Sequence, residues 1–167
     1  MAQQTGKKLQ KHKIAIFGAT GYIGMILSET LANTTIDMKL FVRNKRRMMY
    51  LMKQTKNILI NDTELKKENI QKLSQELKGY DTVIYLIHSM TKEQEGSFAA
   101  QDDLLASIVG EASKNAGVGN IVYLGGLGIA KKGHKLSNHL ASRQHTALEL
   151  GVCRKTPLIT PKYAFKC

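Results

Sequence analysis

The sequence GATGYIG, residues 18–24, directly follows an apolar run at residues 14–17. Its three glycines, Gly18, Gly21 and Gly24, are spaced three residues apart. Apolar residues then recur at every fourth position, which is typical of one face of a helix. This order of strand, glycine turn and helix predicts the first βα unit of an α/β fold.

Apolar runs and helical patterns continue to alternate along the chain, as they do in a series of βαβ units. Strands are predicted at residues 14–17, 38–42, 57–60, 82–87 and 120–124. Helices are predicted to begin near residues 23, 45, 70, 105 and 137. The almost wholly apolar run at residues 82–87 is typical of a strand that is covered on both faces. The sequence therefore predicts a Rossmann-type, doubly wound parallel sheet of five or six strands, with helices on both faces.

Composition narrows the class of protein. The chain has 167 residues with 43% hydrophobic content, and no apolar run approaches the ~20 residues of a membrane helix. Residues 1–12 are polar and basic, without the apolar middle of a signal peptide, so a disordered lead-in and a cytoplasmic protein are expected. Cys153 and Cys167 have no partners at metal-ligand spacing, which predicts free thiols and no metal site.

The net charge of +12 favours anionic partners such as phosphates, nucleic acid or acidic surfaces. A solvated basic surface explains most of these charges equally well. A binding module for nucleic acid or another anionic macromolecule is therefore an alternative function. It is disfavoured because the sequence has no nucleic-acid-binding motif, no Trp and only 6% aromatic residues.

The context of the glycines gives them a mechanism. After a strand, the first glycine permits a tight turn, the second lets a pyrophosphate approach the main chain, and the third lets helix and strand pack closely. The N-terminus of the following helix offers N–H groups and the positive end of its dipole to phosphates. The sequence therefore predicts a dinucleotide site at residues 18–24.

Three further motifs carry a resemblance to a known family. They are DTVIYLIHSM at residues 81–90, NIVYLGGLG at residues 120–128 and LSNHLASRQ at residues 136–144. With the G-x-x-G-x-x-G spacing, they resemble the NmrA-like, NAD(P)H-binding branch of the atypical short-chain dehydrogenase/reductases, whose members are often labelled nucleoside-diphosphate-sugar epimerases. The resemblance implies an NAD(P)-binding Rossmann domain at residues 13–155.

The resemblance also implies which residues contact the cofactor. Those expected to line the pyrophosphate are Gly18, Thr20, Gly21, Tyr22 and Ile23. Asp62, after the third strand, corresponds to an acid that contacts the adenine amino group, although an Asp in a turn or a helix cap is an equal alternative. Leu86, Ile87 and His88, at the end of the fourth strand, are expected beside the adenine ribose and nicotinamide, while a structural role for His88 is the alternative.

The end of the second strand bears on the choice of cofactor. An acid there binds the ribose of NAD, whereas a basic residue pairs with the 2′-phosphate of NADP. This chain has Arg43 and no acid, so NADP(H) is expected to be preferred over NAD(H). The alternative is that Arg43 is only a surface charge at a helix end.

The catalytic families have a Ser after the fifth strand and a Tyr-x-x-x-Lys pair on the next helix. Here Gly125 and Gly126 stand in the Ser region, and His139 and Arg143 keep the spacing of the pair. A substituted acid/base built on His139 and Arg143 is one hypothesis, because His transfers protons near neutral pH. A helix that binds the cofactor without that chemistry is the favoured alternative.

Residues 156–167 are expected to form an irregular or incomplete sixth-strand tail, because Pro161 interrupts a strand begun at residues 156–160. The relatives continue with a substrate region, so we expect this chain to bind the cofactor without turning over a substrate. A dimer partner, as in a homodimer, is one way to complete a pocket. The substrate itself is not identified by the sequence.

Overall fold

The structure is a computed structural model that describes residues 12–52, 56–88, 97–125, 138–151 and 165–166. Within them the strands are β1 (Lys13–Phe17), β2 (Asp37–Phe41), β3 (Ile58–Asn61), β4 (Thr82–Tyr85), β5 (Asn120–Tyr123) and β6 (Phe165–Lys166). The helices are α1 (Tyr22–Ala32), α2 (Lys45–Leu51), α3 (Ile70–Leu77), α4 (Ser97–Ala116) and α5 (Asn138–Glu149). A short 3₁₀ turn, Lys67–Asn69, leads into α3.

The strands form one sheet in the order β3-β2-β1-β4-β5-β6, and β1 to β5 are parallel. This is the strand order of the Rossmann fold, so the predicted fold class is confirmed. The chain crosses from the edge strand β3 back past β1 to β4. The switch in direction opens a crevice between β1 and β4 at their carboxyl ends, where ligands bind in such sheets.

The sixth strand differs from the expectation of a purely parallel sheet. β6 runs antiparallel to β5, with Asn120 opposite Lys166 and Ile121 opposite Phe165. An antiparallel strand at the edge of a parallel sheet is a common arrangement. The segment expected to begin this strand, residues 156–160, lies outside the described residues, as does most of the basic lead-in.

Two separate apolar cores cover the two faces of the sheet. Neighbouring residues of a strand point to opposite faces, so Phe17 belongs to one core and Ile16 to the other. The α3–α4–α5 core also contains Leu73, Leu77, Val83, Tyr85, Ile108 and Val109. The α1–α2 core also contains Met38, Leu40, Met48 and Met52. Helices on both faces are thereby confirmed.

β4 is shorter than its apolar run predicts, since it ends at Tyr85 and not at residue 87. Leu86 still donates its N–H to the carbonyl of Phe17 at 2.9 Å. Beyond this bond the chain of β1 turns away at Gly18, so the fourth strand loses its partner on that side, and its pairing with β5 also ends at Tyr85. Residues 86–88 therefore extend past the sheet and stand beside the glycine turn. None of the described helices is long and apolar enough to cross a membrane.

Candidate dinucleotide-binding site

Gly18 makes the turn between β1 and α1. Its φ is +85°, a conformation that L side chains rarely adopt, and its carbonyl accepts a 3.0 Å hydrogen bond from the N–H of Gly21. A Cβ at Gly18 would lie 2.8 Å from the carbonyl carbon of Leu86 and 2.9 Å from the nitrogen of Ile87. Backbone conformation and the close approach of the β4 segment both require glycine, as predicted for the first glycine of the motif.

Gly24 is the third residue of α1 and is buried. A Cβ there would collide with the carbonyl oxygen of Gly18 and lie 2.8 Å from the Cα of Ala19. The missing side chain thus lets the first turn of α1 rest directly on the glycine turn. The predicted packing role is confirmed, with the turn after β1 as the surface that the helix contacts.

Gly21 has neither of these reasons to be glycine. Its φ of −73° and ψ of 166° suit any residue, and a Cβ would meet only the carbonyl oxygen of Gly18, at 3.3 Å. Gly21 is also the N-cap of α1, where no side chain caps the helix and no acid stands in the first turn. The N–H groups at the start of α1 have no side-chain cap, and Gly21 has no side chain that would keep a ligand away from them. This arrangement is suited to a phosphate group.

A cleft of about 230 Å³ opens in front of this turn, between it and the carboxyl ends of β4 and β5. The expected site residues that line it are Gly18, Gly21, Tyr22, Ile23, Leu86, Ile87, His88 and Arg143. Gly24, the third glycine of the motif, also lines the cleft, and Tyr123 and Leu124, which were not predicted, complete the lining. The end of β5, which the resemblance treated only as a Ser region, therefore contributes the wall opposite the glycine turn.

Four expected residues are not part of this lining. Thr20, Arg43 and Asp62 are exposed, and the last two follow β2 and β3 at the same carboxyl edge of the sheet. In the turn after β3, Oδ1 of Asn61 accepts a hydrogen bond from the N–H of Thr63 at 2.9 Å. His139 lies in α5, but its side chain is outside the described part of the structure. Their roles stay predictions.

A buried acid beneath the cleft was missed by the sequence reasoning. Asp102, on α4, is only 4% exposed, and its Oδ2 lies 3.4 Å from Nδ1 of His88. A signal was present, because Asp102 precedes the apolar Leu105, Ala106 and Val109 by three, four and seven residues and so shares their buried face. The periodicity marks the position as buried, although nothing local identifies His88 as the partner.

Tyr123 and Arg143 form the polar part of the β5 wall. Burial raises the pKa of the Tyr123 hydroxyl, and a hydrogen bond with Thr146 and the positive charge of Arg143 oppose that increase. Nε of Arg143 is buried without a hydrogen-bond partner in the described part of the chain. This end of the cleft therefore combines a phenol with a guanidinium group.

Comparisons with known proteins agree with this geometry. The profile of a family described as NAD(P)H-binding matches residues 18–149. The fold resembles UDP-N-acetylglucosamine 4-epimerase from Bacillus cereus (17% identity, TM-score 0.64, 85% of this chain and 48% of that one). It also resembles the oxidoreductase ylbE from Lactococcus lactis (18% identity, TM-score 0.65, 83% of this chain and 62% of that one). A third similar structure is the Bordetella bronchiseptica enzyme WbmG in complex with NAD (12% identity, TM-score 0.65, 87% of this chain and 51% of that one). No curated protein matches the sequence.

The chain spans about half to three-fifths of the length of these structures, and their low identity shows the fold alone. Nothing in the comparisons favours the nucleic-acid alternative. The family match covers most of the chain, including the glycine turn and the ends of β4 and β5. Together with the Rossmann strand order, it shows that the chain belongs to this NAD(P)H-binding family, whose cofactor is a nicotinamide dinucleotide.

Proposed function

We propose that this chain is the cofactor-binding domain of an oxidoreductase that prefers NADP(H). Gly21 is the observation that carries the proposal. Neither its backbone conformation nor its neighbours in the protein require glycine, and it stands at an uncapped helix start in the crevice of the sheet. The space left by its missing side chain is explained by a pyrophosphate that approaches the main chain there.

The preference for NADP(H) rests on the segment after β2. Arg43 is followed by three further exposed basic residues, Lys45, Arg46 and Arg47, with no acid in the first turn of α2. Asn44 accepts a hydrogen bond from the N–H of Arg47 at 2.9 Å and so fixes the start of α2. Arg43 is thus held at the carboxyl end of β2, where a guanidinium group suits the 2′-phosphate.

When bound, the nicotinamide dinucleotide supplies or accepts a hydride. The chain's own residues bind and orient it. The glycine turn and the start of α1 would hold the pyrophosphate, and residues 86–88 would form the wall beside the ribose and nicotinamide. Arg143, at the opposite wall, would hold hydroxyl or anionic groups through its guanidinium donors.

Fluorescence titration with NADPH and NADH tests the proposal. Arg43→Ala should weaken NADPH binding several-fold, about 1 kcal/mol, and leave NADH binding nearly unchanged, because only NADPH carries the 2′-phosphate. The matched control is Lys72→Ala, which removes the same charge from an exposed position on α3. Equal losses for both cofactors in Arg43→Ala would refute the preference. Absence of binding by the unaltered chain would refute the cofactor site itself.

A further inference from the structure

The pair of Asp102 and His88 is the feature of the cleft that cofactor binding does not yet explain. A carboxylate is costly to bury, and α4 otherwise presents Ala106, Val109 and other apolar side chains to the sheet. The side chain of Asp102 is 5% exposed and that of His88 19% exposed, with 3.4 Å between Oδ2 and Nδ1. The geometry places a buried negative charge directly behind a residue that lines the cofactor cleft.

A direct proton transfer from His88 to a substrate does not fit the structure. Nδ1 faces Asp102, and Nε2 is also buried against the protein. His88 nevertheless lines the cleft, so what it can present to a ligand is its charge. That charge depends on pH, since histidine is the side chain that titrates between about pH 5 and pH 8.

The net charge of the Asp102–His88 pair determines whether the pair repels an anion in the cleft. With His88 neutral, the pair carries the negative charge of Asp102 and repels a pyrophosphate in the same cleft. With His88 protonated, the pair is neutral and the repulsion disappears. Other titratable or charged side chains near the pair do not cancel this difference. They are Asp103 on α4, Tyr85 on β4, Tyr123 on β5, and Arg143 and His145 on α5.

These neighbours have different roles. Burial, followed by the negative charge of Asp102, raises the pKa of Tyr85, so its phenol stays neutral across the range in which histidine titrates. Arg143 stays positive throughout. Asp103 interacts with His145 and Glu149, on the side of α4 that packs against α5.

We propose that Asp102 favours the protonated form of His88 and that the protonated imidazole is part of the site, so that dinucleotide binding takes up a proton at His88 in the pH range in which the free imidazole has lost it. The inference rests on the proposed cofactor site and assigns a role to a residue beneath it. Asp102 is a positioning residue, because it acts only through His88. Linkage requires the reverse effect as well, so a bound dinucleotide favours the protonated imidazole.

NADH is the better probe, because the 2′-phosphate of NADPH has its own pKa of about 6 and adds a pH dependence unrelated to the protein. We expect the affinity of the unaltered chain for NADH to be highest near pH 5.5 and to fall about three- to tenfold by about pH 8 as His88 loses its proton. Asp102→Asn removes the negative charge that favours the protonated imidazole, so the fall in affinity should move to lower pH, and at pH 8 the variant should bind more tightly than the unaltered chain. His88→Gln leaves Asp102 without its cation and should bind weakly at both pH values.

The opposite effects of the two variants separate this role from a structural one, which would make both variants bind more weakly. Asp103→Asn is the matched control, because it removes the adjacent charge on α4 and should keep the pH profile. A flat profile in the unaltered chain, or an unchanged profile in Asp102→Asn, would overturn the inference while leaving the cofactor site intact. If a variant does not fold, NMR titration of His88 decides, because NADH must raise the pH at which this imidazole loses its proton. No binding of NADH or NADPH at any pH would instead refute the proposed function.

Discussion

Replacing Gly24 with alanine tests the account of the glycine turn most directly. The new Cβ would lie 2.8 Å from the Cα and 2.9 Å from the carbonyl carbon of Ala19, and closer still to the carbonyl oxygen of Gly18. Non-bonded carbons pack at about 3.5–4.0 Å, so α1 and the turn must separate by roughly 0.6–1.2 Å. All three contacted atoms belong to the backbone and cannot rotate away.

The magnitude follows from two opposing effects. Overpacking a buried site by one carbon costs about 1–3 kcal/mol, and contacts with rigid backbone place Gly24→Ala near the upper end. Alanine is about 1 kcal/mol more favourable than glycine inside a helix, which offsets part of that cost. The free energy of unfolding should therefore fall by about 2 kcal/mol, equivalent to a decrease of about 4–8 °C in Tm.

Urea unfolding followed by circular dichroism measures this change, with an expected decrease of about 1 M in the midpoint. Gly21→Ala is the control, because its Cβ would meet a single atom at 3.3 Å and its backbone conformation suits alanine. That variant should unfold at the midpoint of the unaltered chain or slightly above it. Equal stability of Gly24→Ala and Gly21→Ala would refute the assignment of separate roles to the two glycines.

Three further outcomes are expected. Gly21→Val should abolish NADPH binding in fluorescence titration while the chain stays folded, because a branched side chain occupies the space for the pyrophosphate; normal binding would place the ligand elsewhere. Burial, followed by the negative charges of Asp37 and Glu76, raises the pKa of Tyr80 to about 12. The stability that its neutral phenol contributes is therefore present below about pH 10 and lost as the pH rises through 12, and Tyr80→Phe should remove a phenolate that forms near pH 12 in an ultraviolet titration. Lys39 donates hydrogen bonds to the main-chain oxygen of Glu76 at 2.7 Å and to its Oε2 at 2.9 Å, so Lys39→Ala should lower the free energy of unfolding by about 1–3 kcal/mol, measured in urea.

The fold was predictable because its signals are local. Apolar runs, helical periods and the glycine turn each lie within about ten residues, and together they imply the parallel sheet. Boundaries were less accurate, since they depend on partners elsewhere in the chain. β2 begins and ends one residue earlier than predicted, and β4 ends at Tyr85 because β1 turns away at Gly18.

In the candidate site, too, the features that depend on neighbouring residues were predicted and those that depend on distant parts of the chain were not. Gly18 and Gly24 were assigned their roles from spacing alone, since the turn and the first turn of α1 are adjacent in sequence. The contact of Asp102 with His88 joins α4 to the end of β4 across the sheet, and no short motif encodes it. Tyr123 was not predicted, because the resemblance places the catalytic pair on the helix α5, whereas Tyr123 lines the cleft from the end of the strand β5.

The two apolar cores have a consequence for how the protein can change over evolution. Arg43 precedes α2, which packs on one face of the sheet, whereas Asp102 belongs to α4 on the other face. Side chains with no shared neighbours change stability and binding almost additively. In evolution or in protein engineering, a change at Arg43 on the α2 side, where we propose that the choice between the two nicotinamide dinucleotides is made, should therefore leave the Asp102–His88 pair on the α4 side undisturbed.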